Sequence, residues 1–214
     1  MADILLVNLS EAILGCDAKR AADAAREIVA AGLDPVMVLK DTVAKIAAEV
    51  GDRFERGEYF LPHLVLAGNA IEAASKVLQS AVPPGKLTER KVIIIGTVEG
   101  DMHSLGKNIV AMMLRTNGFE VHDLGVNVRS STFVQRAQEV KADIIALSCL
   151  MTTTLPYQRE VLEDLQAQGL RERFKVIVGG GPVTEAWAKQ IGADGYGRDV
   201  TEAVQVAQAL AGLT

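Results

Sequence analysis

The segment Gly96–Asn108 holds the side chains of this chain that are best suited to metal chemistry. It reads GTVEGDMHSLGKN, with Asp101 two residues before His103 and Gly106 three residues after it. A carboxylate close to an imidazole can orient the ring and make its other nitrogen a better metal donor. Glycines let a ligand approach the backbone closely. The pattern therefore predicts that His103 is a metal ligand supported by Asp101.

A single histidine limits the kind of metal site. The other two histidines, His63 and His122, are not close to His103 in sequence, so a zinc or iron site with several protein ligands is not expected. An isolated histidine is most often an ordinary surface or core residue, and the glycine-rich loop is what favours a ligand here. One protein ligand suits a metal that brings its own equatorial ring.

Short apolar runs that alternate with helical patterns place this loop at the end of a strand. The predicted strands are Lys91–Gly96, Glu120–Asp123, Asp143–Ser148, Lys175–Gly179 and a weak fifth near Gly195–Tyr196. Five such units predict an α/β domain with an open, five-stranded parallel sheet and helices on both faces, of the flavodoxin or Rossmann-like kind. Ligands of these sheets bind beyond the carboxyl ends of the strands. Chemistry is therefore expected just after strands one, three and four.

Two further loops follow strands three and four at this edge. Ser148–Thr154 (SCLMTTT) carries four hydroxyl side chains, which either solvate the loop or contact Asp101 and a ligand. Gly179–Gly181 is either a tight strand–helix turn or a backbone that a planar or bulky ligand approaches closely. The sequence leaves both alternatives open for each loop.

The first 82 residues have a helical pattern throughout. Predicted helices cover Ile4–Leu14, Ala18–Ala31, a stretch that begins at Asp34-Pro35, and Leu61–Ser80. Together they predict an N-terminal four-helix bundle over residues 1–82. The segment 83–89 (PPGKLTE) breaks the periodicity and is predicted to be a linker, followed by the α/β domain over residues 90–214.

Composition excludes several functional classes. The net charge is −5, and residues 1–87 carry 9 basic against 12 acidic side chains, so no electrostatic feature favours a nucleic-acid partner. No apolar run reaches the roughly 18–20 residues needed to span a membrane. Cys16 and Cys149 are far apart and do not indicate a disulfide framework. A soluble protein of the reducing cytoplasm is expected.

The three loops together resemble the cobalamin-binding domains of methionine synthase and of the corrinoid proteins in methyltransferase systems. The family signature is Asp-x-His-x-x-Gly, then Ser-x-Leu, then Gly-Gly. The matching residues, in the same order, are Asp101-x-His103-x-x-Gly106, Ser148-x-Leu150 and Gly179-Gly180. In addition, Phe54–Pro62 (FERGEYFLP) is similar to the helical segment of the family that lies over the corrin. The resemblance spans nearly the whole chain.

The resemblance implies a role for each matching residue. His103 would replace the dimethylbenzimidazole of the cofactor as lower axial ligand to cobalt, Asp101 would accept a hydrogen bond from His103, and Thr154 would bond Asp101. Ser148 and Gly179–Gly181 would line the slot for the displaced nucleotide tail. Phe54 and Leu61 would cap the methyl-bearing face. The same loops would place further residues against the cofactor, namely Met102, Ser104, Leu105, Gly106, Leu150, Met151 and Thr152.

The implied function is a methyl carrier that binds cobalamin or a related corrinoid, in the form of methylcobalamin when loaded. It would accept a methyl group on Co(I) from a substrate-specific methyltransferase and pass it to a second methyltransferase with a folate or pterin acceptor. A reductive activator is a third expected partner. Methanol, methylamines, glycine betaine and methoxyaromatics remain open as donors.

Three other classes remain as alternatives. The cobalamin-binding subunit of an adenosylcobalamin mutase would share the three loops, but it has no need of the Phe54–Leu61 segment. A cobalamin-based sensor would add a DNA-binding module, for which the chain has neither spare residues nor a basic face. The third alternative is a flavodoxin-like domain that binds another ligand or serves only in interactions.

Overall fold

The computed structural model of the chain describes residues 2–82 and 90–213. It divides into two units. Among the described residues, the first takes 2–82 together with Arg115–Gly118, and the second takes Arg90–Leu114 and 119–213. The predicted linker, 83–89, lies outside the described residues.

The first unit is helical. Its elements are α1 (Ala2–Leu14), α2 (Ala18–Ala30), α3 (Pro35–Met37), a π-helical segment (Val38–Val43), α4 (Ala44–Glu55) and α5 (Leu61–Ser80). Helices α2 and α3 begin at aspartate caps: Asp17 accepts a hydrogen bond from the Arg20 N–H, and Asp34 accepts one from the Val36 N–H. The apolar faces meet in a core that includes Leu9, Ile13, Ile28, Ile71 and Leu78.

The second unit contains a parallel sheet. Its strands are β1 (Val92–Thr97), β2 (Glu120–Asp123), β3 (Ile144–Ser148), β4 (Lys175–Gly179) and β5 (Gly195–Gly197). The helices that follow them are α6 (Leu105–Thr116), α7 (Ser130–Glu139), α8 (Leu155–Ala167), α9 (Glu185–Ile191) and α10 (Val200–Leu210). The strand order is β2-β1-β3-β4-β5, so the order reverses between β1 and β3. The predicted fold class is confirmed.

The register aligns the strand ends that carry the three loops. Thr97 of β1 pairs with Ser148 of β3, Ser148 pairs with Gly179 of β4, and Gly179 pairs with Gly197 of β5. These four residues form one row across the carboxyl edge of the sheet. The loops after β1, β3 and β4 therefore leave the sheet side by side, at the switch in strand order where ligands of such folds bind.

The strands that carry this edge are buried. Strands β1, β3 and β4 are almost continuously buried, as expected of strands covered by helices on both faces. The largest side chains of the core below the edge include Phe133, Ile145 and Phe174, all fully buried.

No helix within residues 2–82 and 90–213 is long and apolar enough to cross a membrane.

Candidate functional site

Asp101 is the centre of the hydrogen-bond network in the loop after β1. Its side chain is fully buried. Oδ1 accepts hydrogen bonds from the backbone N–H of His103 at 3.0 Å and from His103 Nδ1 at 2.7 Å. Oδ2 accepts from the backbone N–H of Leu150 at 2.7 Å, from that of Met151 at 3.3 Å and from Thr154 Oγ1 at 3.2 Å. A buried carboxylate is tolerated here because its oxygens are supplied with donors from two loops.

These contacts keep Asp101 ionised. Burial raises the pKa of the carboxyl group, but the hydrogen bonds from the backbone of His103 and Leu150 and from the His103 ring outweigh burial. The net result lowers the pKa from 3.8 to about 2. Near neutral pH the carboxylate is therefore a fixed acceptor for the Nδ1–H of His103.

The His103 ring is held at one nitrogen and open at the other. Since Nδ1 is bound to Asp101, the neutral ring leaves Nε2 as its free acceptor. The side chain is 53% exposed although its partner is buried. A second contact fixes the loop itself, because Thr97 Oγ1 donates to the His103 carbonyl oxygen at 2.8 Å. This arrangement can place one imidazole nitrogen on a metal.

The loop after β3 supports Asp101 from the opposite side. The Thr154 hydroxyl lies 3.2 Å from Asp101 Oδ2, 3.0 Å from the Met151 carbonyl oxygen and 3.2 Å from Cys149 Sγ. Burial raises the pKa of the Cys149 thiol. Thr154 is buried, whereas Thr152 is exposed and Ser148 is half-buried. The loop therefore supplies Asp101 with donors from Leu150, Met151 and Thr154.

A cavity of about 230 Å³ adjoins His103 at the carboxyl edge of the sheet. Of the residues singled out from the sequence, those that line it are His103, Gly106, Ser148, Leu150, Gly179, Gly180 and Gly181. Gly180 has a φ of +123°, and a Cβ there would lie 1.8 Å from the Cys149 carbonyl oxygen, so only glycine fits. A backbone does approach this glycine run closely, but at Gly180 the approaching group is the Cys149 backbone. The run also forms one wall of the cavity.

The helices α6 and α10 complete the cavity with residues that sequence reasoning missed. They contribute Lys107, Val110, Val200 and Ala203. The Lys107 ammonium group is buried and donates to both oxygens of Asp123 at 2.6 Å. Most of the lining is aliphatic or glycine, which suits an apolar group. The sequence signal that could have located the α10 residues was Gly195-Tyr196-Gly197. This strand precedes α10 and ends at the same edge as the three motif loops.

Three large apolar side chains are exposed on and beside the loops that carry His103 and Asp101. Met102 and Leu105 are each 67% exposed, and Leu150 is 48% exposed. Ser104 and Met151 between them are half-buried. Exposed apolar clusters of this kind mark binding sites. Within residues 2–82 and 90–213, no three His, Cys, Asp or Glu side chains gather as a metal site. The donor set fits a metal held by one imidazole and by a large apolar macrocycle of its own.

Comparison with known proteins identifies the family. A family model described as a B12 binding domain matches residues 91–205, and a second model with the same description matches residues 5–79. The chain is 48% identical over 207 residues to dimethylamine corrinoid protein 1 of Methanosarcina mazei, covering 96% of this chain and 95% of that protein. The chain belongs to the family of methyltransferase corrinoid proteins.

Other members of the family extend the match. Trimethylamine corrinoid protein 2 of Methanosarcina acetivorans is 46% identical over 202 residues, covering 94% of this chain and 93% of that protein. Among solved structures, a cobalamin-binding protein from Desulfitobacterium hafniense superposes with a TM-score of 0.76 at 33% identity, covering 96% and 98%. The methanol:cobalamin methyltransferase complex of Methanosarcina barkeri gives 0.82 at 28% identity, covering 99% and 81%. Membership makes this chain a corrinoid-binding methyl carrier of a methyltransferase system.

Two predicted site residues lie in the helical unit. Phe54 is half-buried on α4, and Leu61 is the first residue of α5 and 39% exposed. Sequence reasoning missed their exposed apolar neighbours Phe60, Val65 and Leu66. The position of Phe54 and Leu61 over the cofactor remains a prediction.

Proposed function

We propose that this chain receives a methyl group on its corrinoid cobalt from a methyltransferase specific for a methylated amine and delivers it to a second methyltransferase. The observation that carries the proposal is the His103 ring, which is anchored at Nδ1 by a fully buried carboxylate and free at Nε2. When bound, the corrinoid supplies the chemistry, a cobalt ion that takes up a methyl group as Co(I) and later gives it up.

The protein side of this chemistry lies in the loops after β1 and β3. His103 Nε2 would be the protein atom that holds the cobalt. The Asp101 carboxylate, bound at Nδ1, would orient the ring and make Nε2 the better metal donor. Thr154, with its hydroxyl 3.2 Å from Asp101 Oδ2, would help to set the basicity of that carboxylate. Asp101 and Thr154 would thus hold His103 in the orientation that binds the metal.

The surrounding residues would bind the rest of the cofactor. The cavity beside Ser148 and Gly179–Gly181 is the proposed slot for the nucleotide tail, because it adjoins His103 and is mostly apolar. The exposed side chains of Met102, Leu105 and Leu150 would pack against the corrin and exclude water. Phe54 and Leu61 of the helical unit would be further residues that hold the cofactor.

The methyl donor we propose is a methylated amine, with dimethylamine first. Support comes from the names of two relatives, a dimethylamine corrinoid protein at 48% identity and a trimethylamine corrinoid protein at 46%. The final acceptor we propose is a folate or pterin bound to the second methyltransferase, and a reductive activator would restore cobalt that has been oxidised. We expect fastest methylation with a dimethylamine methyltransferase and slower methylation with enzymes for trimethylamine or methanol.

The first experiment reconstitutes the protein with hydroxocobalamin and compares wild type with His103→Ala. We expect the wild type to remain coloured after desalting. Its cob(II)alamin EPR spectrum should show the splitting of one axial nitrogen, and selective ¹⁵N labelling of histidine should change that splitting. His103→Ala should lose the histidine signal.

The matched control is His122→Ala. His122 also lies near a carboxylate, with Nε2 2.8 Å from Glu120 Oε1, but on β2 and away from the cavity lining. It should keep the wild-type spectrum. Colourless wild type after desalting, or histidine splitting that survives in His103→Ala, would refute the proposal.

A further inference from the structure

We infer that Asn127 is a positioning residue for the Asp101–His103 pair. The inference rests on the proposed function of His103. Asn127 lies in the loop between β2 and α7, which contains none of the residues singled out from the sequence. Its Oδ1 accepts a hydrogen bond from the Gly100 N–H at 2.7 Å, and its own backbone N–H donates to the Asp101 carbonyl oxygen at 2.9 Å. One residue thus bonds the backbone both before and at Asp101.

The backbone of Asn127 is shaped for this double contact. Its φ is +54°, in the left-handed region that asparagine adopts more readily than most other residues with a side chain. Gly100, its partner, also has a positive φ, of +76°. The turn at Gly100 directs the chain into the buried position of Asp101, and the Asn127 amide satisfies the N–H that this turn leaves without a strand partner.

The two loops are aligned by backbone contacts that continue beyond the strands. The Thr97 N–H donates to the Gly125 carbonyl oxygen at 3.0 Å, and the Val128 N–H donates to the Thr97 carbonyl oxygen at 3.0 Å. Val98 and Val128 form an isolated parallel bridge. These contacts align the two loops, so that Asn127 lies beside Asp101.

The position of the Asp101 backbone affects the His103 ring, because the Asp101 carboxylate is bonded on both sides. Its Oδ1 lies 2.7 Å from Nδ1, and its Oδ2 is bound to the loop after β3. A displacement of the Asp101 backbone would stretch one set of these bonds. Positioning groups of this kind act through small distances, and misplacement by about 1 Å has large effects on a reacting group.

Three substitutions separate the side chain from the backbone conformation. Asn127→Gly keeps the freedom to adopt positive φ and keeps the N–H, but it removes the acceptor for Gly100. Asn127→Ala removes the acceptor and disfavours positive φ. Asn127→Asp keeps both and serves as the conservative rescue. Lys141→Gly is the matched control. Lys141 also has a positive φ, of +53°, but its backbone N–H donates to the Gln138 carbonyl oxygen and not to a site loop.

The readout is the fraction of bound cob(II)alamin whose cobalt carries histidine nitrogen, measured by EPR at one fixed pH. We expect Asn127→Gly to lower this fraction at least two-fold with cobalamin still bound, Asn127→Ala to lower it further, and Asn127→Asp and Lys141→Gly to stay near wild type. Thermal unfolding is recorded for each variant. A second measurement needs no cofactor: long-range ¹H–¹⁵N spectra of the apoprotein report whether the His103 proton resides on Nδ1.

The outcomes separate the inference from the proposed function. If Asn127→Gly loses stability but keeps both the wild-type ligated fraction and the wild-type tautomer, Asn127 is only structural and the inference is wrong. If wild type shows no histidine on cobalt, the proposed function fails. In that case the tautomer of His103 in the Asn127 variants still decides whether Asn127 positions the pair.

Discussion

Two histidine–carboxylate pairs in the second unit share the same spacing and differ in their surroundings. Asp101 precedes His103 by two residues, and Glu120 precedes His122 by two residues. The nitrogen–oxygen distances are nearly equal, 2.7 Å and 2.8 Å. In the first pair the carboxylate is fully buried and the imidazole is 53% exposed, whereas in the second the carboxylate is 53% exposed and the imidazole is 31% exposed. Spacing alone therefore does not identify a ligand.

The pairs also differ in what they offer a metal. Asp101 binds Nδ1 of His103 and leaves Nε2 open beside a cavity, whereas Glu120 binds Nε2 of His122 on β2, at the edge of the sheet. Two loops hold Asp101 in place, but an exposed glutamate can rotate away at little cost. A buried, fully hydrogen-bonded acceptor behind the ring and a cavity beside it distinguish the candidate ligand from an ordinary surface pair.

The largest effect is expected from filling the cavity, because the open space beside His103 is one of the two features that distinguish it from His122. Ala203→Leu on α10 places extra carbons in the cavity lining. We expect cobalamin affinity to fall roughly 10- to 100-fold, because overpacking costs roughly 1–3 kcal/mol. Cobinamide, which lacks the nucleotide tail, should bind equally well to wild type and variant. Equilibrium titration followed by absorbance measures both.

The control for that experiment is Ala209→Leu, the same substitution at an exposed position of α10. It should leave the binding of both corrinoids unchanged. Equal losses for cobalamin and cobinamide in Ala203→Leu would show that the cavity does not receive the tail.

A smaller effect is expected from the two carboxylates themselves. Because folding lowers the pKa of Asp101 from 3.8 to about 2, the ionised carboxylate contributes about 2 kcal/mol to the free energy of unfolding near pH 7. That contribution is complete above pH 3.8 and disappears as the pH falls through 2. Asp101→Asn should therefore destabilise the apoprotein by about 2 kcal/mol at pH 7 and by roughly half as much at pH 3. Urea unfolding at both values measures the difference.

Glu120→Gln provides the comparison. An exposed carboxylate–imidazole contact contributes little, so this variant should lie within about 0.5 kcal/mol of wild type at pH 7. A loss in Glu120→Gln as large as that in Asp101→Asn would remove the distinction between the two pairs.

The sequence predicted the parts of the site that depend on local pattern and on one topological rule. The apolar runs placed β1, β3 and β4 correctly to within one residue at each end. The rule for parallel sheets then brought the loops that carry His103, Ser148 and Gly179 to one edge. A contact of the hydroxyl loop with Asp101, one of the alternatives left open by its residues and assigned to Thr154 by the resemblance, is also present.

The rest depends on contacts between distant segments, which no local pattern encodes. Val200 and Ala203 form cavity wall only because α10 follows a fifth strand that ends level with Gly179. Asn127 is an unremarkable loop residue until β2 pairs with β1 and brings it beside Asp101. The burial of Asp101 itself was not readable either, since Glu120 has the same spacing and lies at the surface.

The smallest effect is expected at Thr154, which tests whether each donor to Asp101 matters. Its hydroxyl has one proton and two oxygen acceptors within reach, Asp101 Oδ2 at 3.2 Å and the Met151 carbonyl at 3.0 Å, so its bond to Asp101 is shared. Thr154→Val keeps the volume and removes the donor, and it should destabilise the apoprotein by about 1 kcal/mol. Thr154→Ser should restore at least half of that loss in urea unfolding. Because Leu150 and Met151 still donate to Asp101, most of the cobalt should remain histidine-ligated in Thr154→Val; complete loss of ligation would mean that this hydroxyl, rather than the backbone donors, holds Asp101 in place.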